Sequence, residues 1–189
     1  MEALEALLTR QSVAPAFLGE PAPDDAALER MLAAGAAAPD HGKLRPWWFI
    51  VIRGQARARL GAVFVEALLK RQPDAPDAAI EQERTRPLRA PLVIAVAARI
   101  DRQHAKIPEI EQTLSSAAAA QNILIAAHAQ GFGAKWLTGA NAYDDHVKGA
   151  LGLAADDRLI GFIYLGTVEG SPPAIPHAEA REHTIEWRG

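Results

Sequence analysis

One loop of the chain, residues 38–46, carries side chains that could bind an anion. His41, Lys43 and Arg45 supply hydrogen-bond donors, and two prolines in the loop restrict its backbone. Two tryptophans follow the loop directly and begin an apolar run. Cations and indoles at one strand entrance are typical of a pocket for a flat, negatively charged ligand. The alternative is a solvated basic turn beside tryptophans that belong to the core.

Other motifs that often mark an active site are incomplete. The Gly-Phe-Gly run at 131–133 resembles part of a dinucleotide fingerprint, but it follows a helix and lacks the third glycine. The six histidines form no HExxH or similar cluster, so we expect no metal site, and no GxSxG elbow supports a serine hydrolase. Glu109 and Glu111 could act as a carboxylate pair, although solvation at the surface is the favoured role for both.

Composition limits the classes of protein to consider. A chain of 189 residues with 49% hydrophobic content can bury one real core, which predicts a single domain over residues 1–189. The formal charge is −3 and the basic residues are scattered, so a nucleic-acid face is not expected. The chain contains no cysteine, which excludes disulfides, iron–sulfur ligation and thiolate chemistry.

Neither a targeting segment nor a membrane span is predicted. Residues 1–10 lack the basic start and apolar run of a signal peptide. No apolar stretch approaches the roughly 20 residues that cross a bilayer. We therefore expect a cytoplasmic protein that binds small molecules or a second copy of itself.

Helical and strand patterns alternate along the first half of the chain. Apolar spacing predicts helices over residues 2–9, from an Asp24 N-cap towards Pro39, and over 55–72. Residues 47–52 are predicted to form a buried strand. The run 92–98 has the continuous β-branched character of a central strand that is covered on both faces.

The second half is predicted to begin with a loop over residues 99–112. Ser115 and Ser116 can then cap a helix that runs to Gln130 and is apolar nearly all round. Its burial against a second subunit is favoured over burial within one domain. Gly131 ends this helix. A strand near 135–138, a short helix opened by Asp144 and Asp145, and a strand over 159–168 follow, and the proline-rich tail from Gly170 is expected to lie across another surface.

Three separated segments resemble a known family. They are Arg10-Gln11-Ser12, the loop from Ala38 to Trp47, and the turn at 130–133 that leads to Trp136-Leu137-Thr138-Gly139. In this order they resemble the nitroreductase family of FMN-dependent oxidoreductases, and the first and third segments also keep the spacing of that family. The resemblance runs from Leu4 to about Val168. It implies an α+β fold whose central, mainly antiparallel sheet is flanked by helices. It also implies an intertwined homodimer with FMN at each of two subunit interfaces and the tail, residues 170–189, packed on the partner.

The resemblance also assigns roles to individual residues. The flavin-binding residues are implied to be Arg10, Gln11, Ser12, His41, Trp136, Leu137 and Thr138. Arg10 would contact the FMN phosphate or ribityl chain, and His41 would reach the flavin of the partner subunit. Lys106, Pro108 and Glu111 match a loop near the substrate. Alternative roles stay open: Arg10 as a helix-terminal arginine, Trp136 to Thr138 as an ordinary strand, and Glu111 in a solvated loop.

The sequence departs from the family pattern at three positions. Gln11, Leu137 and Ala37 stand where relatives carry basic residues, so we expect less positive charge around the phosphate and weaker FMN binding. The implied activity is reduction of nitroaromatic or related electrophilic acceptors by NAD(P)H through FMN, in a ping-pong scheme. Because the flavin carries the chemistry, no catalytic side chain is required. A flavin-binding protein with little turnover, or an unrelated dimerisation module, remains an alternative.

Overall fold

The computed structural model describes residues 1–189 and contains six α-helices and five strands. The helices are α1 (Ala3–Thr9), α2 (Asp25–Ala36), α3 (Gln55–Arg71), α4 (Asp77–Thr85), α5 (Glu109–Ala129) and α6 (Asp145–Ala150). The strands are β1 (Leu18–Gly19), β2 (Trp47–Arg53), β3 (Leu92–Ala98), β4 (Phe132–Leu137) and β5 (Arg158–Val168). Short 3-10 turns lie at Pro15–Phe17, His41–Lys43, Arg86–Arg89, Ala140–Tyr143 and Ala180–His183.

Every strand pair in the sheet is antiparallel, as predicted for the fold class. β5 is the central strand and pairs with β1, β3 and β4, whereas β2 pairs with β3 alone. β3 is buried along its whole length, which confirms the prediction for 92–98. The strand predicted at 47–52 is confirmed as β2, but its predicted burial was wrong, because β2 is an edge strand whose residues are mostly half-buried and Trp48 is 46% exposed.

Helices cover both faces of the sheet, and alternate residues of β3 point to opposite sides. Val93, Ala95 and Ala97 pack into a core with α3 and α6. Leu92, Ile94 and Val96 pack into a second core with α2 and α5. The sheet is therefore sandwiched between two helical layers, and α5 is the longest element of the layer that borders the candidate site.

Local sequence explains most helix boundaries. Asp24 caps α2 by accepting a hydrogen bond from the Ala27 N–H at 2.7 Å, as predicted. The predicted start of α5 was wrong: the helix begins at Glu109, with Pro108 at the N-cap position. Ser115 is an interior residue of this helix, because its hydroxyl bonds the Glu111 carbonyl one turn back. Gly131 ends α5 at φ 84°, a conformation that favours glycine, which confirms that prediction.

The C-terminal tail, residues 170–189, is exposed throughout apart from one half-buried proline. One hydrogen bond ties it to the site region, from the Ile175 N–H to Gln11 Oε1 at 3.0 Å. Two large apolar side chains, Ile185 and Trp187, are 91% and 86% exposed. None of the helices combines the length and apolar character needed to cross a membrane.

Candidate functional site

Arg10 follows the last residue of α1 and lies where α1, α5 and β4 meet. The Val13 N–H donates to the Ala134 carbonyl at 2.9 Å, so the segment after α1 is held along the outer edge of β4. Thr9 Oγ1 lies 2.8 Å from His128 Nε2, which fixes the end of α1 against the last turns of α5. Backbone pairing and a side-chain contact therefore position Arg10 from two directions.

A cavity of about 260 Å³ opens at this junction. Its polar lining comes from Thr9, Arg10, Gln11 and His128, and the turn at 131–134 forms another wall. The structure thus brings Arg10 and Gln11 together with the glycine turn, as the resemblance implied. Ser12 is half-buried next to them but does not line the cavity.

Three hydrogen-bond donors at this junction have no partner within the chain. The guanidinium of Arg10, Nε2 of Gln11 and the hydroxyl of Ser12 make no hydrogen bond or ion pair, although all three residues are half-buried. Donors that are partly withdrawn from water and unpaired are suited to an anionic ligand with several acceptor oxygens. The donor set therefore fits a phosphate group such as that of FMN.

His128 is a residue of this cavity that the sequence analysis did not select. Burial and the nearby positive charge of Arg10 lower the pKa of His128 below its usual 6.5, and Glu5 opposes this shift. A neutral imidazole beside an arginine can gain a proton when an anion arrives. The signal that could have revealed it is its position: it is the one polar residue in the last turns of the helix, directly after the apolar run at 123–127.

The segment Trp136-Leu137-Thr138 lies farther along β4. Trp136 packs against the core, and its Nε1 donates to the Ile160 carbonyl at 3.1 Å. Gly161, with φ 148°, leaves the room this indole needs, because a Cβ there would lie 2.3 Å from Trp136 Nε1. Thr138 is exposed just past the end of β4. Thr138 is four residues after Ala134, which lines the cavity, and at the rise per residue of a β-strand this separation is about 13 Å.

His41 lies far from the cavity within one chain. Its Nδ1 is 2.6 Å from Glu111 Oε2 in the first turn of α5, whereas Thr9, next to Arg10, contacts His128 near the other end of the helix. Glu111 and His128 are seventeen positions apart, which along an α-helix is about 25 Å. A single chain therefore does not bring His41 and Arg10 to one site.

The three residues matched to a substrate loop lie around the start of α5. Lys106 is exposed in the loop, and Pro108 is exposed at the N-cap position. The backbone N–H groups of Lys106 and Ile107 donate to His104 Nδ1 at 3.3 and 3.0 Å, which orders the turn. Glu111 was expected in a solvated loop, but it is helical and paired with His41.

Comparison with known proteins places these features in one family. The nitroreductase family model matches residues 7–167. The chain is 42% identical over 167 residues to "Putative NAD(P)H nitroreductase YdjA" of Escherichia coli (strain K12), which covers 88% of each chain. The structure superposes on a nitroreductase-like family protein from Bacillus cereus with TM-score 0.83 at 20% identity, covering 100% of this chain and 97% of that one. It superposes on a Desulfovibrio desulfuricans protein solved "in complex with fmn" with TM-score 0.73 at 26% identity, covering 100% and 98%. The chain therefore belongs to the nitroreductase family.

Proposed function

We propose that the protein is an FMN-dependent NAD(P)H oxidoreductase that reduces nitroaromatic or related electrophilic acceptors. Family membership supports the activity, since a relative that is 42% identical carries an NAD(P)H nitroreductase name. FMN is supported by the structural relative solved with it. The observation that carries the proposal is the half-buried, unpaired guanidinium of Arg10, which lines a cavity with Gln11 and His128.

The cofactor would be held mainly through its phosphate. Arg10 would pair with the phosphate oxygens, and the free amide of Gln11 and the hydroxyl of Ser12 would add hydrogen bonds. The flavin ring would lie towards Trp136, Leu137 and Thr138, since Thr138 is exposed about 13 Å along the strand from the cavity wall. Trp136 is locked by its bond to Ile160 and so would give this end a rigid border.

When bound, FMN supplies the redox chemistry by accepting a hydride from NAD(P)H and passing electrons to an acceptor. The chain's own residues would bind, orient and shield it from water. No carboxylate lines the cavity beside Arg10, so no anionic side chain competes with a phosphate for the guanidinium there. Lys106, Pro108 and Glu111 would border the acceptor.

A second copy of the chain would complete each site. Arg10 and His41 lie at opposite ends of α5, so His41 would come from the partner subunit. Large apolar side chains are exposed on α1 and at the start of α5, which suits burial in a homodimer: Leu4, Leu7, Leu8, Ile110 and Leu114. The exposed tail, residues 170–189, would pack on the partner.

The experiment is to offer FMN to the purified protein, remove free flavin, and record the flavin absorbance before and after anaerobic addition of NADPH or NADH. We expect retained flavin absorbance that bleaches with the nucleotide and returns with a nitroaromatic or a quinone. Retained flavin that does not bleach would favour the flavin-binding protein with little turnover. Protein that retains no flavin would contradict both and favour a dimerisation module.

A further inference from the structure

A second group of cations lies outside the cavity of Arg10. Trp48 on β2 pairs with Ala97 on β3, and Arg99 follows Ala97 by two residues. Trp48 and Arg99 therefore lie on the same side of the sheet. The Arg99 guanidinium carbon is 3.7 Å from the centre of the Trp48 ring system, and both residues are exposed. The stack is fixed by strand register and by the bond from the Arg99 N–H to the Pro46 carbonyl at 2.8 Å.

Two more cations lie in the loop that leads to Trp48, and their backbone conformation is unusual. Lys43 and Arg45 have φ values of 60° and 52°, and they are the only residues other than glycine with positive φ. Neither is a residue type that favours this region, so the loop is strained at both positions. The carboxylate of Asp40 holds the strained turn by accepting the Arg45 N–H at 2.7 Å. Backbone strain that is retained at two neighbouring cationic residues indicates that the position of their side chains has a functional role.

The side chains of these cations are not neutralised within the chain. Lys43, Arg45 and Arg99 are exposed and form no ion pair with a carboxylate. Arg45, Trp48 and Arg99 line a cavity of about 280 Å³. Asp101 also lines it, but its carboxylate accepts the Gln103 N–H and braces a turn. The cavity therefore combines a stacked planar surface with unpaired positive charge.

We propose that this cavity binds the adenosine end of the electron donor and selects NADPH over NADH. The free face of the Arg99 guanidinium offers a surface on which adenine can stack, since its other face covers Trp48. Arg45, which lines the cavity, would bind the 2′-phosphate that only NADPH carries, and the exposed Lys43 two residues before it would add positive charge nearby. The proposal rests on the proposed function, because it assigns the donor that the flavin site needs.

The position of the cavity supports this assignment. Arg45 is four residues from His41, so their Cα atoms lie at most about 14 Å apart. His41 is the residue proposed to reach the partner's flavin. A dinucleotide whose nicotinamide lies at that flavin would therefore extend towards the cavity on the subunit that supplies His41.

The test uses FMN-loaded protein and adenosine 2′,5′-bisphosphate, a probe without nicotinamide. Calorimetry is expected to show binding that is at least tenfold weaker in Arg45→Ala and in Arg99→Ala, and unchanged in Arg59→Ala. Arg59 is an exposed arginine on α3 that also forms no ion pair, and it lies away from the cavity. In steady-state assays, KM for NADPH should rise at least tenfold in both cavity variants, and the preference for NADPH over NADH should fall by a similar factor.

Several outcomes would overturn this inference without touching the proposed function. One is that the wild-type protein oxidises NADH and NADPH equally well. Another is that the probe binds Arg45→Ala as tightly as it binds wild type. The third is that 5′-AMP binds wild type as tightly as the bisphosphate does. Failure of the proposed function is recognised separately, since the protein would then retain no FMN or would oxidise neither nucleotide.

Discussion

His41 Nδ1 lies 2.6 Å from Glu111 Oε2, at the end of α5 opposite to the one that borders Arg10. The two residues assigned to one flavin are thus held apart by most of a helix. In a two-fold dimer whose α5 helices pack antiparallel, the His41 end of one chain would meet the Arg10 end of the other. This relationship makes the sharing of sites between subunits testable.

Mixed dimers are expected to recover activity that neither parent has. Arg10→Ala and His41→Ala chains, carrying different tags and expressed together, would form dimers with one doubly altered site and one intact site. The physical reason is that the intact site takes Arg10 from one chain and His41 from the other. By two-fold symmetry about half of the sites in the purified mixed dimers should be intact, and about a quarter in an unseparated random mixture.

The measurement is nitroreductase activity and flavin content of the doubly purified mixed dimers against each parent. If both residues served the flavin of their own chain, no mixing would restore a site. Mixed dimers as inactive as the two parents would therefore reject the shared site, and a monomer by light scattering at micromolar concentration would reject the dimer itself.

Arg10→Ala should weaken FMN binding at least tenfold, which corresponds to about 1.4 kcal/mol. The guanidinium makes no ion pair in the chain, so the free energy of unfolding should change by no more than about 0.5 kcal/mol. Flavin titration and thermal unfolding measure the two effects. Arg59→Ala is the matched control, because it also removes an unpaired arginine but not one at the cavity. Equal FMN affinity in both variants would show that the phosphate is held elsewhere.

FMN binding should be accompanied by proton uptake at His128. Burial and Arg10 lower the pKa of His128 below 6.5 in the flavin-free chain, so more than half of the imidazole is neutral at pH 6.5. A phosphate dianion beside Arg10 would offset that positive charge and raise the pKa of His128. Calorimetry at pH 6.5 in buffers with different ionisation enthalpies should record more protons bound by wild type than by His128→Gln. Equal uptake in the two proteins would mean that His128 does not sense the phosphate.

Asp144 should make stability depend on pH at the acidic end. Burial alone would raise the pKa of Asp144, but hydrogen bonds from the Arg71 side chain and from the Val147 and His146 N–H groups outweigh it, so the pKa lies below 3.8. Because the pKa of Asp144 is lower in the folded state than in the unfolded state, the ionised carboxylate stabilises the fold at pH values above the unfolded-state pKa. This stabilisation is lost as the pH falls through the folded-state pKa.

The comparison that isolates this charge is between wild type and Asp144→Asn. Asparagine keeps an oxygen to cap α6, so the difference in unfolding free energy should be present at pH 7 and be lost as the pH falls below 3.8 and through the lower pKa of folded Asp144. Asp144→Ala also removes the cap and should cost about 1–2 kcal/mol more at every pH. A wild-type advantage that persists unchanged in acid would contradict the charge assignment. Urea unfolding at several pH values measures all three proteins.

The sequence predicted the elements whose signals are local. The β-branched run at 92–98 predicted β3, and Asp24 predicted the start of α2, because both depend on neighbouring residues. The edge position of β2 depends on which strands pair across the sheet, and the apolar run at 47–52 carries no such information. Hydropathy alone therefore overestimated its burial.

The start of α5 was missed because its polar first turns are satisfied by distant partners. Gln112 is 1% exposed, and its amide bonds the backbone of Asp101 and Ile107. Glu109 pairs with Arg102 and Arg158 from two other segments. Before those partners are known, such a stretch has the composition of a loop. For the same reason only the resemblance pointed to Arg10 as a site residue, and His128 was not selected.

The last prediction concerns the order in which substrates bind. One cavity and one stretch of β4 are assigned to the flavin, and the chain has no glycine fingerprint for a separate nicotinamide site. Nicotinamide and acceptor would then occupy the same space in turn, while the adenosine end of the donor rests outside it. Steady-state rates with NADPH and a nitroaromatic, plotted as double reciprocals, should give parallel lines. High acceptor concentrations should inhibit competitively against NADPH, since both exclude each other at the flavin.

A single-turnover experiment distinguishes this ping-pong scheme from one in which donor and acceptor are bound at the same time. Enzyme reduced with one equivalent of NADPH and passed through an anaerobic desalting column should still reduce the nitroaromatic at the rate found without desalting. The Arg45→Ala variant serves as an internal comparison, because its slower reaction with NADPH should leave the second half-reaction unaltered once the enzyme is reduced. Intersecting lines, together with reduced enzyme that reacts only while nicotinamide is present, would mean that donor and acceptor bind side by side and would exclude a shared pocket.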